Sequence, residues 1–269
     1  MQKPVKTIED TYTTKPIVEG IVGSVAMKEV MMDKTPFRYL LRAMMSGFLL
    51  SIMTVLMLAV KTQFASANNP GLINLLGAIS FSIALVFIVI TGAELLTSNF
   101  MFFTVGLYYK TVTFKKAMTL FLYCFLGNIL GGFVLFGLMY GTKVMTPEMI
   151  AALTKTVTVK TVDSTWLSIL IKGIFCNFFI NIGILVALMF KEGLTKTFFI
   201  AVGVIIFVFM GYEHVVYNAG LFAGMVFYNF DGASWIDVLK NIVFAFIGNY
   251  IGGGILIGLY FAYLNGTRD

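Results

Sequence analysis

Hydrophobic residues make up 59% of the 269-residue chain and charged residues only 12%. Soluble domains have about 25% charged residues, so this composition indicates an integral membrane protein. The formal net charge of +6 does not predict nucleic-acid binding, because most positive charges lie in the N-terminal arm and in loops where membrane topology explains them.

Residues 1–35 form a polar and charged arm, which we expect to be cytoplasmic and without a cleavable signal peptide. Within this arm, residues 16–34 place apolar side chains near one helical face, among them Ile21 and Val25. Lys28 falls on the same face, and we expect its ammonium group to snorkel to lipid headgroups. The pattern favours an interfacial anchor, and a gating arm is the alternative.

The membrane domain, residues 36–263, contains apolar stretches that are long enough to cross a bilayer, which takes roughly 20 residues. There are six of them, at about 40–60, 71–108, 117–141, 165–190, 196–229 and 239–263. The second and the fifth are too long for one plain crossing, so we predict that each of these two helices is interrupted. Residues 264–269 form a C-terminal tail.

The chain carries an internal duplication. "FLGNILGGFVLFGL" (Phe125 to Leu138) returns as "FIGNYIGGGILIGL" (Phe246 to Leu259) at an offset of 121 residues. "GAELLTSN" and "GYEHVVYN", each near the middle of an over-long stretch, match at an offset of 119. In a membrane chain, such halves typically build a transporter or channel around a site at their interface. The predicted repeats are about 36–142 and 160–263.

The distribution of lysine and arginine sets the expected orientation, with both termini in the cytoplasm. The predicted cytoplasmic set is Lys3, Lys6, Lys15, Lys28, Lys34, Arg38, Arg42, Lys110, Lys115, Lys116, Lys191, Lys196 and Arg268. The predicted outer set is Lys61, Lys143, Lys155, Lys160 and Lys240. Each repeat has three crossings, an odd number, so the second must enter the membrane from the opposite face. The expected fold is therefore all-α, a three-plus-three inverted repeat.

The ionisable residues expected in mid-membrane are Glu94, Glu213 and His214, and such groups are functional candidates because burying them in lipid is costly. The two glutamates occupy equivalent repeat positions. We predict that they are structural, accepting hydrogen bonds from backbone N–H groups that the helix breaks set free. His214 matches Leu95 in the first repeat, so the duplication does not explain it, and we favour a functional role.

Polar residues follow each predicted break. Thr97 has Val216 as its repeat mate and could donate a hydrogen bond to an anion. Asn99 and Asn218 are equivalent, and we predict that they cap the second half-helices. The N-terminal ends of those half-helices carry partial positive charge, which favours a small anion.

The sequence lacks the usual catalytic and metal-binding patterns. It has no HExxH motif, no nucleophile elbow and no nucleotide-binding loop. Its two cysteines, Cys124 and Cys176, lie in apolar spans and indicate neither disulfides nor zinc. We therefore expect neither an enzyme nor a bound metal or cofactor.

The motifs "GAELLTSN", "KGIFCN", "GYEHVVYN" and "GNYIGGG" resemble those of the formate/nitrite transporter family over about residues 16–263. The resemblance implies an aquaporin-like protomer with six spans, two of them interrupted. It also implies a homopentamer with one pore per protomer, carrying formate, nitrite, hydrosulfide, lactate or similar small monovalent anions.

The same resemblance implies roles for individual residues. His214 matches the central histidine, and Thr97 matches the threonine of a mobile loop. Lys160 resembles a lysine of the outer vestibule. The polar surroundings of the histidine and the apolar pore lining correspond to Asn177, Asn218, Phe81, Leu85, Leu95 and Phe207, with Leu85 and Phe207 at the cytoplasmic constriction. The chain departs from the family at Tyr217, where alanine is frequent.

The sequence thus predicts a channel or transporter for small anions of weak acids in the plasma membrane, with formate as the first candidate. Nitrite, hydrosulfide and lactate remain open, as does the part played by protons: His214 either relays a proton or only donates a hydrogen bond. Two other classes are weaker alternatives, a facilitator for neutral solutes and an intramembrane enzyme.

Overall fold

A computed structural model describes residues 15–228 and 233–265, which contain helices and connecting turns but no strand. The residues outside these ranges include part of the predicted N-terminal arm and most of the predicted C-terminal tail. The helices are α1 (Lys15–Lys34), α2 (Pro36–Gln63), α3 (Pro70–Thr91), α4 (Leu96–Tyr108), α5 (Phe114–Tyr140), α6 (Pro147–Thr161), α7 (Trp166–Leu188), α8 (Gly193–Phe209), α9 (Val215–Tyr228), α10 (Trp235–Asn249) and α11 (Tyr260–Asn265), with a π-helical segment, Tyr250–Leu259, between α10 and α11.

Five of the described helices are long and apolar enough to cross a membrane: α2, α3, α5, α7 and the continuous run Trp235–Asn265. The predicted second stretch divides into α3 and α4, and the predicted fifth divides into the shorter helices α8 and α9. The two predicted interruptions are therefore confirmed. Helix α6, before the fourth crossing, was not predicted as a separate element.

Both interruptions begin with the same backbone turn. Gly92 ends α3 with φ 65° and Gly211 follows α8 with φ 67°, a left-handed conformation that glycine adopts at little cost. The next N–H in each case reaches back five residues: Ala93 donates to the Ile88 carbonyl at 3.0 Å, and Tyr212 donates to the Phe207 carbonyl at 3.0 Å. This bond is typical of a helix-ending Schellman turn, and it explains the glycine in both repeat motifs.

The helices pack in matching pairs. Helix α2 packs on α5 in the first half as α7 packs on α10 in the second, and α3 packs against α8 across the interface. The halves also interlock, because α4 packs on the 250–259 segment while α9 packs on α5. The two half-helices are therefore held by the opposite repeat.

Glycines of the duplicated motif allow these close crossings. A Cβ added at Gly131 on α5 would collide with the backbone carbonyl of Met44 on α2. One added at Gly252 would collide with the carbonyl of Ile174 on α7 in the same way. Small residues that let backbones approach are typical of membrane helix interfaces.

Helix α1 docks on the membrane domain. Its apolar face, with Ile21 and Val25 buried, packs mainly against α4 and α2. The predicted snorkelling of Lys28 is wrong: its ammonium group forms an ion pair with the Glu94 carboxylate and lies over the Phe102 ring. A buried carboxylate offers the ammonium a partner inside the protein, so the side chain does not extend towards headgroups.

We predict that Gly131→Ala will destabilise the protein by roughly 1–3 kcal/mol, because the new methyl group meets backbone atoms that cannot move independently. The measurement is thermal unfolding of purified protein in detergent, where the midpoint should fall. The matched control is Gly23→Ala on α1, where an added Cβ has no neighbour within 4 Å. Equal midpoints for the two variants would show that the α2–α5 crossing tolerates a side chain.

Candidate functional site

The two interruptions meet in the protein interior. The Thr97 hydroxyl oxygen, in the first turn of α4, lies 3.0 Å from Nε2 of His214, which directly precedes α9. Both residues are almost completely buried. The N-terminal ends of α4 and α9 therefore lie side by side, and each contributes partial positive charge to the same place.

The hydrogen bonds of His214 assign its neutral tautomer. Its Nδ1 accepts the backbone N–H of Tyr217 at 2.9 Å, and a backbone N–H can only donate. In the neutral ring the proton must then be on Nε2, which donates to the Thr97 oxygen. The Thr97 hydroxyl keeps its own proton available for another acceptor. His214 also has a structural role, since its ring caps the first turn of α9.

The two buried glutamates have equivalent partners. Glu213 accepts from Asn218 at 2.6 Å and from Asn241 at 3.2 Å. Glu94 accepts from Asn99 at 3.2 Å. Their carboxylates contact side-chain amides and a lysine each, and within residues 15–228 and 233–265 neither accepts a hydrogen bond from an N–H group freed at the breaks. The predicted reason for their presence is therefore wrong, although both do belong to the hydrogen-bond networks at the breaks.

Two asparagines satisfy the freed backbone groups instead. Oδ1 of Asn128 accepts the Leu96 N–H at 3.1 Å, and its Nδ2 donates to the Glu94 carbonyl at 2.9 Å. Asn249 does the same in the second half, with the Val215 N–H at 2.9 Å and the Glu213 carbonyl at 2.7 Å. Each side chain therefore bridges its break.

Sequence reasoning missed Asn128 and Asn249, although a signal was present. Both asparagines recur in register within the duplicated segments "FLGN" and "FIGN". A polar residue at a repeated position in an apolar helix is expected to form hydrogen bonds with a backbone or side-chain group in both halves.

The predicted capping role of Asn99 and Asn218 is wrong. Each is the fourth residue of its half-helix, α4 or α9, and the cap positions are occupied by Leu95 and His214. From one turn inside the helix, each amide donates to the glutamate five residues earlier.

Asn177 lies on α7 and holds the first break from the other half. Its Nδ2 donates to the Thr97 carbonyl at 3.0 Å and to the Asn249 carbonyl at 2.7 Å. Asn181, one turn further along, also donates to the Thr97 carbonyl at 3.0 Å. The backbone position of Thr97 therefore depends on two amides of the opposite repeat.

Lys160, the predicted vestibule lysine, lies near the end of α6 and is 7% exposed. Its ammonium group is 3.1 Å from a Glu213 carboxylate oxygen and donates to the Tyr212 carbonyl at 3.3 Å. It also lies 5.6 Å from the centre of the Tyr217 ring. Lys160 thus pairs with the glutamate at the second break, as Lys28 pairs with the glutamate at the first.

Apolar residues adjoin the Thr97–His214 pair. The Phe207 ring stacks on the His214 ring at 5.6 Å. Phe81 on α3 contacts Phe207 edge-on at 6.4 Å and Tyr217 at 5.1 Å. The other two predicted pore residues, Leu85 and Leu95, are also buried. A continuous run of rings therefore leads from Tyr217 through Phe81 and Phe207 to the histidine.

Residues 17–263 match the family model described as "Formate/nitrite transporter". The chain belongs to the formate/nitrite transporter family. This places it among membrane channels and transporters.

Curated relatives agree with this assignment. An uncharacterized transporter of Saccharomyces cerevisiae is 30% identical over 91% of this chain, which spans only 39% of the yeast protein. The formate channel FocA of Haemophilus influenzae is 26% identical over 88% of this chain and 89% of its own length. The nitrite transporter NirC of Salmonella typhimurium is 30% identical over 72% of each chain.

Solved structures support the fold. A chain titled "FNT family ion channel" superposes with a TM-score of 0.84, covering 93% of this chain and 99% of the other at 22% identity. A pentameric formate channel with formate bound gives a TM-score of 0.73, covering 86% of this chain and 98% of the other at 20% identity.

We predict that Asn249→Ala will destabilise the protein by about 2–4 kcal/mol, because it leaves two or more buried backbone groups without a partner, each costing roughly 1–3 kcal/mol. Thermal unfolding in detergent is the measurement. Asn74→Ala, on the exposed surface of α3, is the control and should unfold at the wild-type temperature. A wild-type midpoint for Asn249→Ala would mean that the break is satisfied without this side chain.

Proposed function

We propose that the protein conducts small monovalent anions of weak acids, and that formate is its main substrate. The observation that carries this proposal is the Thr97–His214 pair at 3.0 Å, buried between two half-helix N-termini. Two relatives, a formate channel and a nitrite transporter, agree with substrates of this size and charge. Nitrite, hydrosulfide and lactate are the competing substrates.

The site combines features that attract an anion with features that oppose its charge. The N-termini of α4 and α9 and the Thr97 hydroxyl can each stabilise an oxygen anion. The adjoining rings of Phe81 and Phe207, with Leu85 and Leu95, offer no hydrogen bond. Because desolvating an ion is far more costly than desolvating its neutral acid, this lining favours a protonated permeant.

Two versions of the crossing differ in what happens to the proton. In one, His214 passes a proton through Thr97 to the anion and recovers it afterwards. In the other, His214 stays neutral and only polarises the Thr97 hydroxyl. The relay needs a proton on Nδ1, and the Tyr217 N–H, which bonds to Nδ1 at 2.9 Å, would have to release that atom first. The neutral donor is therefore our proposed resting state.

The proposal includes assembly and topology. We place both termini in the cytoplasm, the protein in the plasma membrane, and five protomers in a ring with one pore each. A pentameric formate channel shares the fold. Helix α5 presents Leu122, Leu126 and Leu130 outward, 66%, 49% and 37% exposed, which is a stripe that lipid or a neighbouring protomer would cover.

We predict that Thr97→Val will reduce formate flux about 10-fold to 100-fold, because one hydrogen bond to a charged group contributes roughly 1.5–3 kcal/mol. The measurement is formate flux into proteoliposomes with simultaneous recording of internal pH. Thr97→Ser, which keeps the hydroxyl, should retain most of the flux. Thr91→Val, at the exposed end of α3, is the matched control and should conduct as the wild type does.

The same assay separates the proton versions. Formate flux with an equal proton flux supports passage as the neutral acid, and formate flux without proton movement rejects the relay. A His214→Asn variant keeps a helix-capping side chain but loses the titratable ring. Unchanged flux of this variant at every pH would remove His214 from the mechanism. No saturable anion flux in the wild type would overturn the proposed function itself.

A further inference from the structure

We propose that Lys61, at the end of α2, is a second anion-recruiting cation at the outer mouth of the pore and that it sets the apparent affinity for external substrate. The inference deepens the proposed function and rests on it. Lys61 is one of the lysines of the predicted outer set.

The side chain of Lys61 lies across α3 just outside the aromatic run. It is partly buried, and a Cβ added at Gly77 would meet its Cγ and Cδ atoms at 3.1 and 3.3 Å. Gly77 and Phe81 are four residues apart on α3 and therefore share a helical face. The aliphatic part of Lys61 thus covers the turn of α3 that precedes the Phe81 ring.

Lys160 borders the ring of Tyr217, which contacts Phe81. Its ammonium group lies 5.6 Å from the centre of the Tyr217 ring, and that ring contacts Phe81 edge-on at 5.1 Å. One lysine thus packs on the helical turn before Phe81, and another lies over the ring of Tyr217.

The charges of the two lysines are not equally compensated. Lys160 has Glu213 at 3.1 Å. None of the ion pairs among residues 15–228 and 233–265 includes Lys61. The positive charge of Lys61 therefore stays uncompensated in a partly buried position. An uncompensated ammonium group attracts a small anion from solution.

An uncompensated charge at a pore mouth raises the local concentration of a counter-ion without changing the barrier further inside. Removing it should therefore change the apparent KM for external anion more than the maximal rate. The effect should also weaken as added salt screens the charge. A residue with a purely structural role would not produce this combination.

The test is uptake of labelled formate by cells that express the full chain, measured over a range of formate concentrations at low and high ionic strength. Lys61→Gln is expected to raise the apparent KM about threefold to tenfold at low ionic strength, with a near-normal maximal rate and a smaller effect in salt. Lys61→Arg should behave as the wild type does. Lys155→Gln removes an equal charge from the exposed face of α6 and should leave KM unchanged.

A chemical rescue covers the case in which Lys61→Gln does not fold. In Lys61→Cys, an aminoethyl methanethiosulfonate reagent restores a positive charge and should restore KM, whereas the sulfonatoethyl reagent should not. The native thiols Cys124 and Cys176 are fully buried, and reagent-treated wild type controls for them. An unchanged KM in Lys61→Gln, or no difference between the two reagents, overturns the role of Lys61 alone. Wild-type cells without saturable uptake overturn the proposed function, and this inference falls with it.

Discussion

An interrupted helix inside a membrane has to satisfy its freed backbone groups without water, and this requirement shapes the centre of the protein. The chain meets it twice with one device: Asn128 and Asn249 each accept an N–H after the break and donate to a carbonyl before it. Because those side chains project from neighbouring helices, the glycine-mediated crossings α2–α5 and α7–α10 have to be close. Tight packing and the broken helices are therefore parts of one solution.

The residues that recur in both repeats build the two breaks, and the candidate functional side chains lie at positions that differ between the repeats. Glycine, glutamate and asparagine are the same in both breaks, whereas His214 corresponds to Leu95 and Thr97 to Val216. The structure joins the two exceptions in one hydrogen bond of 3.0 Å, with one residue from each half. A symmetric pair of breaks thus holds a single asymmetric donor group at the interface of the repeats.

The sequence predicted those features that depend on local patterns of residues. The interruptions follow from stretches too long for one crossing, and their positions follow from the two Gly-x-Glu motifs. The partners of the charged groups are not local: Lys28 and Glu94 are 66 residues apart, and no periodicity relates them. Asn99 and Asn218 resemble caps in the sequence because asparagine is a favoured N-cap residue, but each lies one turn inside its half-helix and donates to the glutamate five residues earlier.

The ion pairs extend the internal symmetry beyond the membrane crossings. Lys28 on α1 and Lys160 on α6 each pair with the glutamate of their own half, although their separation in the sequence does not match the offset of the duplicated motifs. Helix α6 thus supplies the lysine that pairs with the glutamate of the second half, as α1 does for the first half. A buried carboxylate that lost its ammonium partner would be strongly unfavourable. The correct seating of α1 and α6 is therefore coupled to the two breaks that they border, and through those breaks to the Thr97–His214 pair.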